Sequence, residues 1–131
     1  MSEKELRALC GIWQRRLRLQ DWDVKVRLVR ERDLHNSNNQ GECEWSISTK
    51  AAVVRIIDPV DYSPDCAWPQ DMERVLVHEL LHLHFAPFSA ECGTAEDVAQ
   101  EQAICALSQA LVELARRSDE YGHRGHLDND N

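Results

Sequence analysis

The segment from residue 75 to residue 85 constrains the fold most, because it predicts a buried helix that nevertheless carries ionisable side chains. Apolar residues surround this helix at almost every angle, which is typical of a helix at the centre of a domain. They are Val75, Leu76, Val77, Leu80, Leu81, Leu83 and Phe85. Three polar side chains, those of His78, Glu79 and His82, are embedded among them. Polar groups in such surroundings need partners, either other core groups or an ion.

The spacing of His78 and His82 favours an ion. Residues four apart on an α-helix lie one turn apart on the same face, so both imidazoles can reach one metal. Glu79 lies about 100° further round, beside that metal, where its carboxylate can take a proton from water. The alternative is that hydrogen bonds within the core satisfy all three side chains. His84 points about 200° away from His82 and is expected at the surface or in an outer layer.

A catalytic zinc site commonly has three protein ligands, so a third ligand is expected elsewhere in the chain. Glu101 follows His82 by nineteen positions, on a second predicted helix. The residues that share its helix face are Val98, Cys105, Ser108 and Val112. A carboxylate on such an apolar stripe is costly unless it meets a cation, although a Glu near a helix end can also reach solvent. Two His and one Glu suit zinc best, which predicts a Zn²⁺ site of His78, His82 and Glu101.

Other carboxylates near Glu101 are weaker candidates for the third ligand. Glu96 falls on the far side of the same helix, whereas Glu91 precedes the helix in a loop from which it can swing in. Asp97 is interpreted either as an outer residue that holds a ligand histidine by its free N–H or as part of a helix cap with Thr94.

The rest of the chain predicts a single α+β domain over residues 1–117, because 131 residues suffice for one core. Hydrophobic periodicity indicates the elements. They are a helix over 3–19, strands over 24–29, 43–49 and 51–57, the motif helix over 70–86 and a last helix over about 94–117. We therefore expect helices packed on one face of a small, mostly antiparallel sheet. Residues 118–131 are expected to form a mobile tail.

Composition excludes several classes of partner. Fifteen Lys and Arg against 23 Asp and Glu give a net charge of −8, so direct binding of nucleic acid is not expected. The sequence has no apolar run of the roughly 18 residues that cross a bilayer and no secretory signal, which predicts a cytoplasmic protein without membrane contact. The five cysteines are widely spaced and lack a CxxC pair, which indicates reduced thiols. Cys10 and Cys105 are expected to be small core residues.

The pattern His78-Glu79-x-x-His82, followed by eighteen residues and Glu101, resembles the signature of the gluzincin zinc metallopeptidases. The short chain and the order of elements are similar to the minigluzincins, and residues 75–82 resemble small phage and prophage metallopeptidases. The resemblance covers about residues 20–115. It implies a zincin-like fold, one catalytic Zn²⁺, Glu79 as general base and a peptide or protein substrate. Many members have an Asp one turn after the Glu ligand, where this chain has Cys105.

The resemblance also implies where substrate lies and what completes the site. It places an extended substrate along strand 51–57 as an edge strand. An oxyanion donor is sought among Tyr121, His123 and His126 of the tail, which could instead cover the cleft. Two functions remain open: a zinc peptidase, with an endopeptidase favoured, and a non-catalytic zinc-binding domain for protein interaction, such as a phage accessory factor.

Overall fold

A computed structural model describes the backbone of residues 1–36 and 39–129 and the side chains of residues 1–36 and 39–119. Its helices and strands have the predicted order and confirm the α+β class. They are α1 (Glu3–Arg16), β1 (Asp23–Val29), β2 (Gly41–Ser46), β3 (Ala51–Ile57), α2 (Met72–Phe85) and α3 (Ala95–Asn129). No helix in this described part of the chain is both long enough and apolar enough to cross a membrane.

The sheet is mixed, with the strand order β1-β3-β2. Strand β3 pairs in parallel with β1, where Val26 faces Val54, and antiparallel with β2, where Cys43 also faces Val54. The expectation of a mostly antiparallel sheet therefore holds for only one of the two pairings. The expectation that strand 51–57 is an edge strand was wrong, because β3 is hydrogen-bonded on both sides. Strand β2 is the edge strand that lies against α2.

Helix α2 lies at the centre of the domain, as its apolar surface predicts. One face of the sheet, carrying Ala52, Val54 and Ile56 of β3, is covered by the helices, and these side chains are buried. Leu76 and Leu80 of α2 have no solvent exposure. Buried residues from the other two helices complete the same core: Leu6, Cys10 and Trp13 of α1, and Ile104 and Val112 of α3.

The first turn of α2 is tied to both other helices. Asp71 caps α2 by accepting the backbone N–H of Arg74 at 3.1 Å, and it also accepts two hydrogen bonds from Arg116 of α3 at 3.0 Å. Glu73 accepts the indole N–H of Trp13 on α1 at 2.9 Å and a bond from Arg116 at 3.2 Å. These contacts position α2 along its axis relative to its neighbours.

The ends of three helices differ from the sequence-based bounds. Helix α1 ends at Arg16, because Arg18 takes a positive φ of 62° that a helix cannot continue through. Helix α2 starts two residues later than predicted, after its Asp71 cap. Helix α3 extends to Asn129, into the segment predicted to be a mobile tail. The mobility of residues 118–131 stays a prediction, and residues 130–131 lie outside the described part.

Gly41 allows β2 to lie directly against α2. A Cβ placed there would lie 2.7 Å from Val75 Cγ1 and 3.0 Å from the backbone oxygen of Arg55. Neither atom can move freely, since Val75 is buried in the core and Arg55 belongs to the central strand. The close approach of strand and helix thus requires a residue without a side chain.

Gly41→Ala is expected to destabilise the protein by about 1–3 kcal/mol through overpacking. The matched control is Gly11→Ala in α1, where an added Cβ meets nothing within 4 Å. Because alanine is the better helix former, that change should stabilise the protein by up to about 1 kcal/mol. Urea unfolding of the three proteins measures both effects, and equal effects of the two substitutions would contradict the packing argument.

Candidate metal centre

Helix α2 presents His78 and His82 to a cleft between β2 and α3. The two imidazole rings lie on successive turns with centroids 5.3 Å apart and planes tilted by 59°. Their side chains are only partly buried, at 17% and 25% exposure, so the ring edges are open to the cleft. This is the shared helix face that the four-residue spacing predicts.

The carboxylate of Glu101 on α3 meets both rings. Its Oε1 lies 2.7 Å from Nε2 of His78, and its Oε2 lies 3.4 Å from Nε2 of His82. The three residues predicted as ligands are therefore brought together from two helices. Ligand atoms on one tetrahedral zinc ion lie about 3.3 Å apart, as follows from metal–ligand distances of about 2.0–2.2 Å. The pair with His82 fits that spacing, and the atoms of the shorter contact would have to move apart to share an ion.

Glu101 reaches the histidines from the rim of the cleft and not from a buried position. Its side chain is 50% exposed, and Val98, expected on the same apolar face, is 53% exposed. Helix α3 packs on the core through Ile104, Ser108 and Val112, which are buried, and this leaves the Glu101 side at the boundary with solvent. The cost of burying a carboxylate therefore does not account for the position of Glu101. Its contacts with the two imidazoles are what tie it to the site.

Glu79 lies at the inner wall of the site and is only 7% exposed. Its carboxylate, with one nitrogen each of His78 and His82, forms a cluster whose atoms lie within 4.8 Å of one another. Burial raises the pKa of Glu79 to about 8, and the charges of Glu101 and Glu42 act in the same direction. A buried carboxylate with a raised pKa, so close to two candidate ligand nitrogens, is a candidate for proton transfer.

The surroundings of His82 favour its neutral form. Trp45 of β2 stacks on the imidazole, with ring centroids 6.2 Å apart and planes inclined by 18°. Burial lowers the pKa of His82, and His78 lowers it further, while Glu101 and Asp97 oppose this shift. Neutral imidazole is the form that binds a metal. The indole ring thus both shields and orients the second histidine.

Cys105 belongs to the site and not to the core, contrary to the expectation from its helix face. Its Sγ lies 3.7 Å from Nδ1 of His78, and the side chain is half-buried beside Glu101. A proton on Nδ1 that is donated to this sulfur leaves Nε2 free to bind a metal. The four-residue spacing of Glu101 and Cys105 is the feature of the sequence that predicts a place for Cys105 beside Glu101. Cys10 is buried as predicted, and all five cysteines are free thiols.

The weaker candidates for ligands join no potential metal cluster within the described residues. Asp97 accepts the backbone N–H of Gly93 at 3.0 Å, while its own N–H is donated to the Thr94 hydroxyl, so the helix-cap interpretation is confirmed. His84 is exposed and contacts the backbone oxygen of Leu17 through Nε2 at 2.6 Å, away from the cleft as predicted. Glu91 and Glu96 are both exposed, and neither joins a potential metal cluster among the described residues.

A cavity of about 620 Å³ surrounds the cluster. Its walls are residues 39–43 and Trp45 of the β2 region, the histidine face of α2, and Asp97, Glu101 and Cys105 of α3. The sequence did not predict that β2 lines the cavity, because contact between a strand and a helix far along the chain produces no periodic pattern in the sequence. Arg74 also lines the cavity, four residues before His78 and thus on the same helix face. The tail candidates for an oxyanion donor, Tyr121, His123 and His126, lie outside the described side chains.

Glu79→Gln is expected to stabilise the chelator-treated protein increasingly as pH rises from about 5 to about 8. The carboxyl of Glu79 ionises near 4.3 when unfolded but only at about 8 when folded, so folding takes up a proton and stability falls as pH rises between these values. Glutamine does not titrate, and its advantage should be on the order of 3–4 kcal/mol at neutral pH. Urea midpoints measured across this range test the effect, with the exposed substitution Glu96→Gln as control. Parallel curves for wild type and Glu79→Gln would contradict it.

No protein-family model matches the chain, and neither a curated protein nor a solved structure matches it. The resemblance to gluzincins consequently rests on the spacing of the motif and on the contacts of the site itself.

Proposed function

We propose that the chain is a zinc-dependent peptidase, most simply an endopeptidase, in which His78, His82 and Glu101 hold one Zn²⁺ and Glu79 is the general base. The observation that carries the proposal is the meeting of the Glu101 carboxylate with the Nε2 atoms of both histidines. Two imidazoles and one carboxylate form the donor set of many catalytic zinc sites, which keep a further position open for water or substrate.

The ion would supply the chemistry of a Lewis acid, which acidifies water and polarises a carbonyl group. Glu79 would accept the proton of the attacking water on its carboxylate and donate it to the leaving amine. Its position at the inner wall keeps this carboxylate out of bulk solvent. A neighbouring positive charge favours the ionised form that a base requires, and so opposes the effect of burial.

The edge strand β2 supports a peptide as substrate. Strand β2 is paired on one side only, with β3, and residues 39–43 line the cavity. An extended peptide can bind to such an edge through backbone hydrogen bonds and so lie across the histidine face of α2. The resemblance assigns this role to strand 51–57, but that strand is β3 at the centre of the sheet, so we assign the role to β2.

A non-catalytic zinc-binding interaction domain is the second candidate. It is favoured by the lining of the cavity, whose described side chains include no Tyr and no His besides the two proposed ligands, so that the amides of Asn39 and Gln40 are among the neutral side-chain groups that could donate to an oxyanion. Against it stands Glu79, since a purely structural metal site has no use for a buried base beside the ligands. Structural zinc sites have four protein ligands in most cases, and Cys105, which forms a second potential metal cluster with His78 and Glu101, offers a fourth donor that would favour this candidate.

Glu101→Gln is expected to weaken zinc binding by more than the 10–100-fold that loss of an outer partner typically costs, because it removes a charged ligand. Competition with a chelator measures the affinity, and Glu96→Gln on the exposed side of α3 is the matched control. Equal affinity of Glu101→Gln and wild type would exclude Glu101 as a ligand.

Glu79→Gln is expected to retain stoichiometric zinc but to lose about 10²–10⁴-fold in peptide hydrolysis, because the amide cannot accept the proton. Cleavage of a peptide library, followed by mass spectrometry, gives the activity, and metal analysis of the same sample gives the zinc content. Undiminished cleavage by Glu79→Gln would refute its role as base. A wild-type protein that binds zinc and cleaves no peptide would favour the interaction domain.

A further inference from the structure

Arg74 is a cation of the cleft that forms no ion pair within 4.0 Å among the described residues. It lies on α2 one turn before His78, half-buried, and it lines the same cavity as the metal cluster. Arg30 pairs with Asp61 and Arg116 with Asp71, while the other described arginines without a carboxylate partner are exposed. Within the described part of the chain, no carboxylate oxygen lies within 4.0 Å of the Arg74 guanidinium. A partly desolvated charge of this kind is suited to bind an anion from outside.

The acidic side chains that share the cavity are engaged elsewhere. Glu42 accepts the backbone N–H of His35 and pairs with Arg55 on the open face of the sheet. Asp97 accepts the N–H of Gly93 at the start of α3. Glu101 contacts the two histidines, and Glu79 is buried behind them. Of the cavity-lining residues, Arg74 is the one Arg or Lys, and it remains available to a ligand.

Helix geometry separates Arg74 from the reacting bond. Four residues of helix place its Cα about 6 Å before that of His78 along the axis. The side chains of His78 and His82 lean toward the same N-terminal end of the helix, so the axial separation between Arg74 and this pair carries over to the side chains. Because an extended peptide advances about 3.3 Å per residue, Arg74 would meet a group two to three residues from the cleaved bond. The role of an oxyanion donor is therefore not assigned to it.

The edge strand β2 runs between the metal site and Arg74 and so defines the path of a bound peptide. The start of β2 lies against the first turns of α2, where a Cβ on Gly41 would meet Val75, and its later part lies over the metal site, where Trp45 stacks on His82. A peptide paired with β2 thus passes from the metal site toward Arg74. In the antiparallel orientation, its C-terminal side would reach the guanidinium.

We propose that Arg74 forms a carboxylate-binding subsite, which recognises an acidic side chain or the C-terminal carboxylate of a peptide bound along β2. The subsite deepens the proposed peptidase function and rests on it. The planar guanidinium matches a carboxylate with two parallel hydrogen bonds, and lysine, as a point charge, would do so less well.

The test compares matched peptides on the zinc-loaded protein. The pairs differ as Asp and Asn or Glu and Gln within amidated peptides, or as a free and an amidated C-terminus of one neutral sequence. Wild type should prefer the carboxylate member about tenfold or more in kcat/KM, in line with a charge-assisted hydrogen bond. Arg74→Gln should bring this ratio close to one, Arg74→Lys should keep part of it, and Arg74→Glu should reverse it in favour of a basic residue.

Arg27→Gln is the matched control, since Arg27 is an exposed residue on the open face of β1 and should leave the ratio unchanged. A preference confined to free C-termini identifies the terminal carboxylate as ligand, and one confined to Asp and Glu identifies the side chain. A wild-type ratio near one, or an unchanged ratio in Arg74→Gln, overturns the subsite while peptide cleavage stands.

Binding measurements separate the subsite from the proposed catalysis. Calorimetric titration of the zinc-loaded Glu79→Gln variant, with and without Arg74→Gln, gives dissociation constants for the same peptides without turnover. If wild type cleaves nothing, the peptidase proposal fails, and an Arg74-dependent ratio of about tenfold in these constants would still support the subsite. Equal constants for both members of each pair, or no binding of any peptide, would overturn it.

Discussion

The burial of α2 on all sides but one determines how this domain is built. Its apolar residues pack against the sheet, α1 and α3, so that the polar turn holding His78 and His82 can open only toward the gap between β2 and α3. Imidazoles in such a position, beside the buried Glu79, need a polar partner that the apolar core cannot offer. Glu101 provides it across the gap, and the same contact holds α3 beside the site.

The edge strand contributes as much to the site as the helix does. Because Gly41 lets the backbone of β2 lie against Val75, the strand becomes a wall of the cavity, and Trp45 comes to stack on His82. This arrangement depends on the mixed sheet, in which the chain passes from β1 to the far edge before β3 returns to the centre. The central strand then serves the core, while the edge strand remains available for a ligand.

Much of this could be predicted from the sequence where the signal is local. The helical period placed His78 and His82 on one face. Alternation located the first two strands, and an apolar run that ends at Asp58-Pro59 located the third. Strand order could not be predicted from alternation. The alternating pattern of a half-buried strand is the same whether the strand pairs in parallel or antiparallel, and whether it lies at the centre or at the edge of the sheet. Glu101 was predicted as a ligand, but from a burial that it lacks. The contact between Cys105 and His78 depends on the angle at which α2 and α3 cross, and the hydrophobic periodicity of the sequence does not contain that angle.

The charges of the cleft are separated along its length, and this separation has a chemical consequence. At one end, Glu79 and Glu101 together carry two negative charges when ionised, which a divalent cation among the histidines would balance. At the other end, Arg74 is not paired with Glu42 or Asp97, because those carboxylates contact other partners. A ligand that spans both ends would therefore need a polarisable carbonyl at the first and an anion at the second. A peptide that carries a carboxylate a few residues from its reacting bond has both groups at that distance.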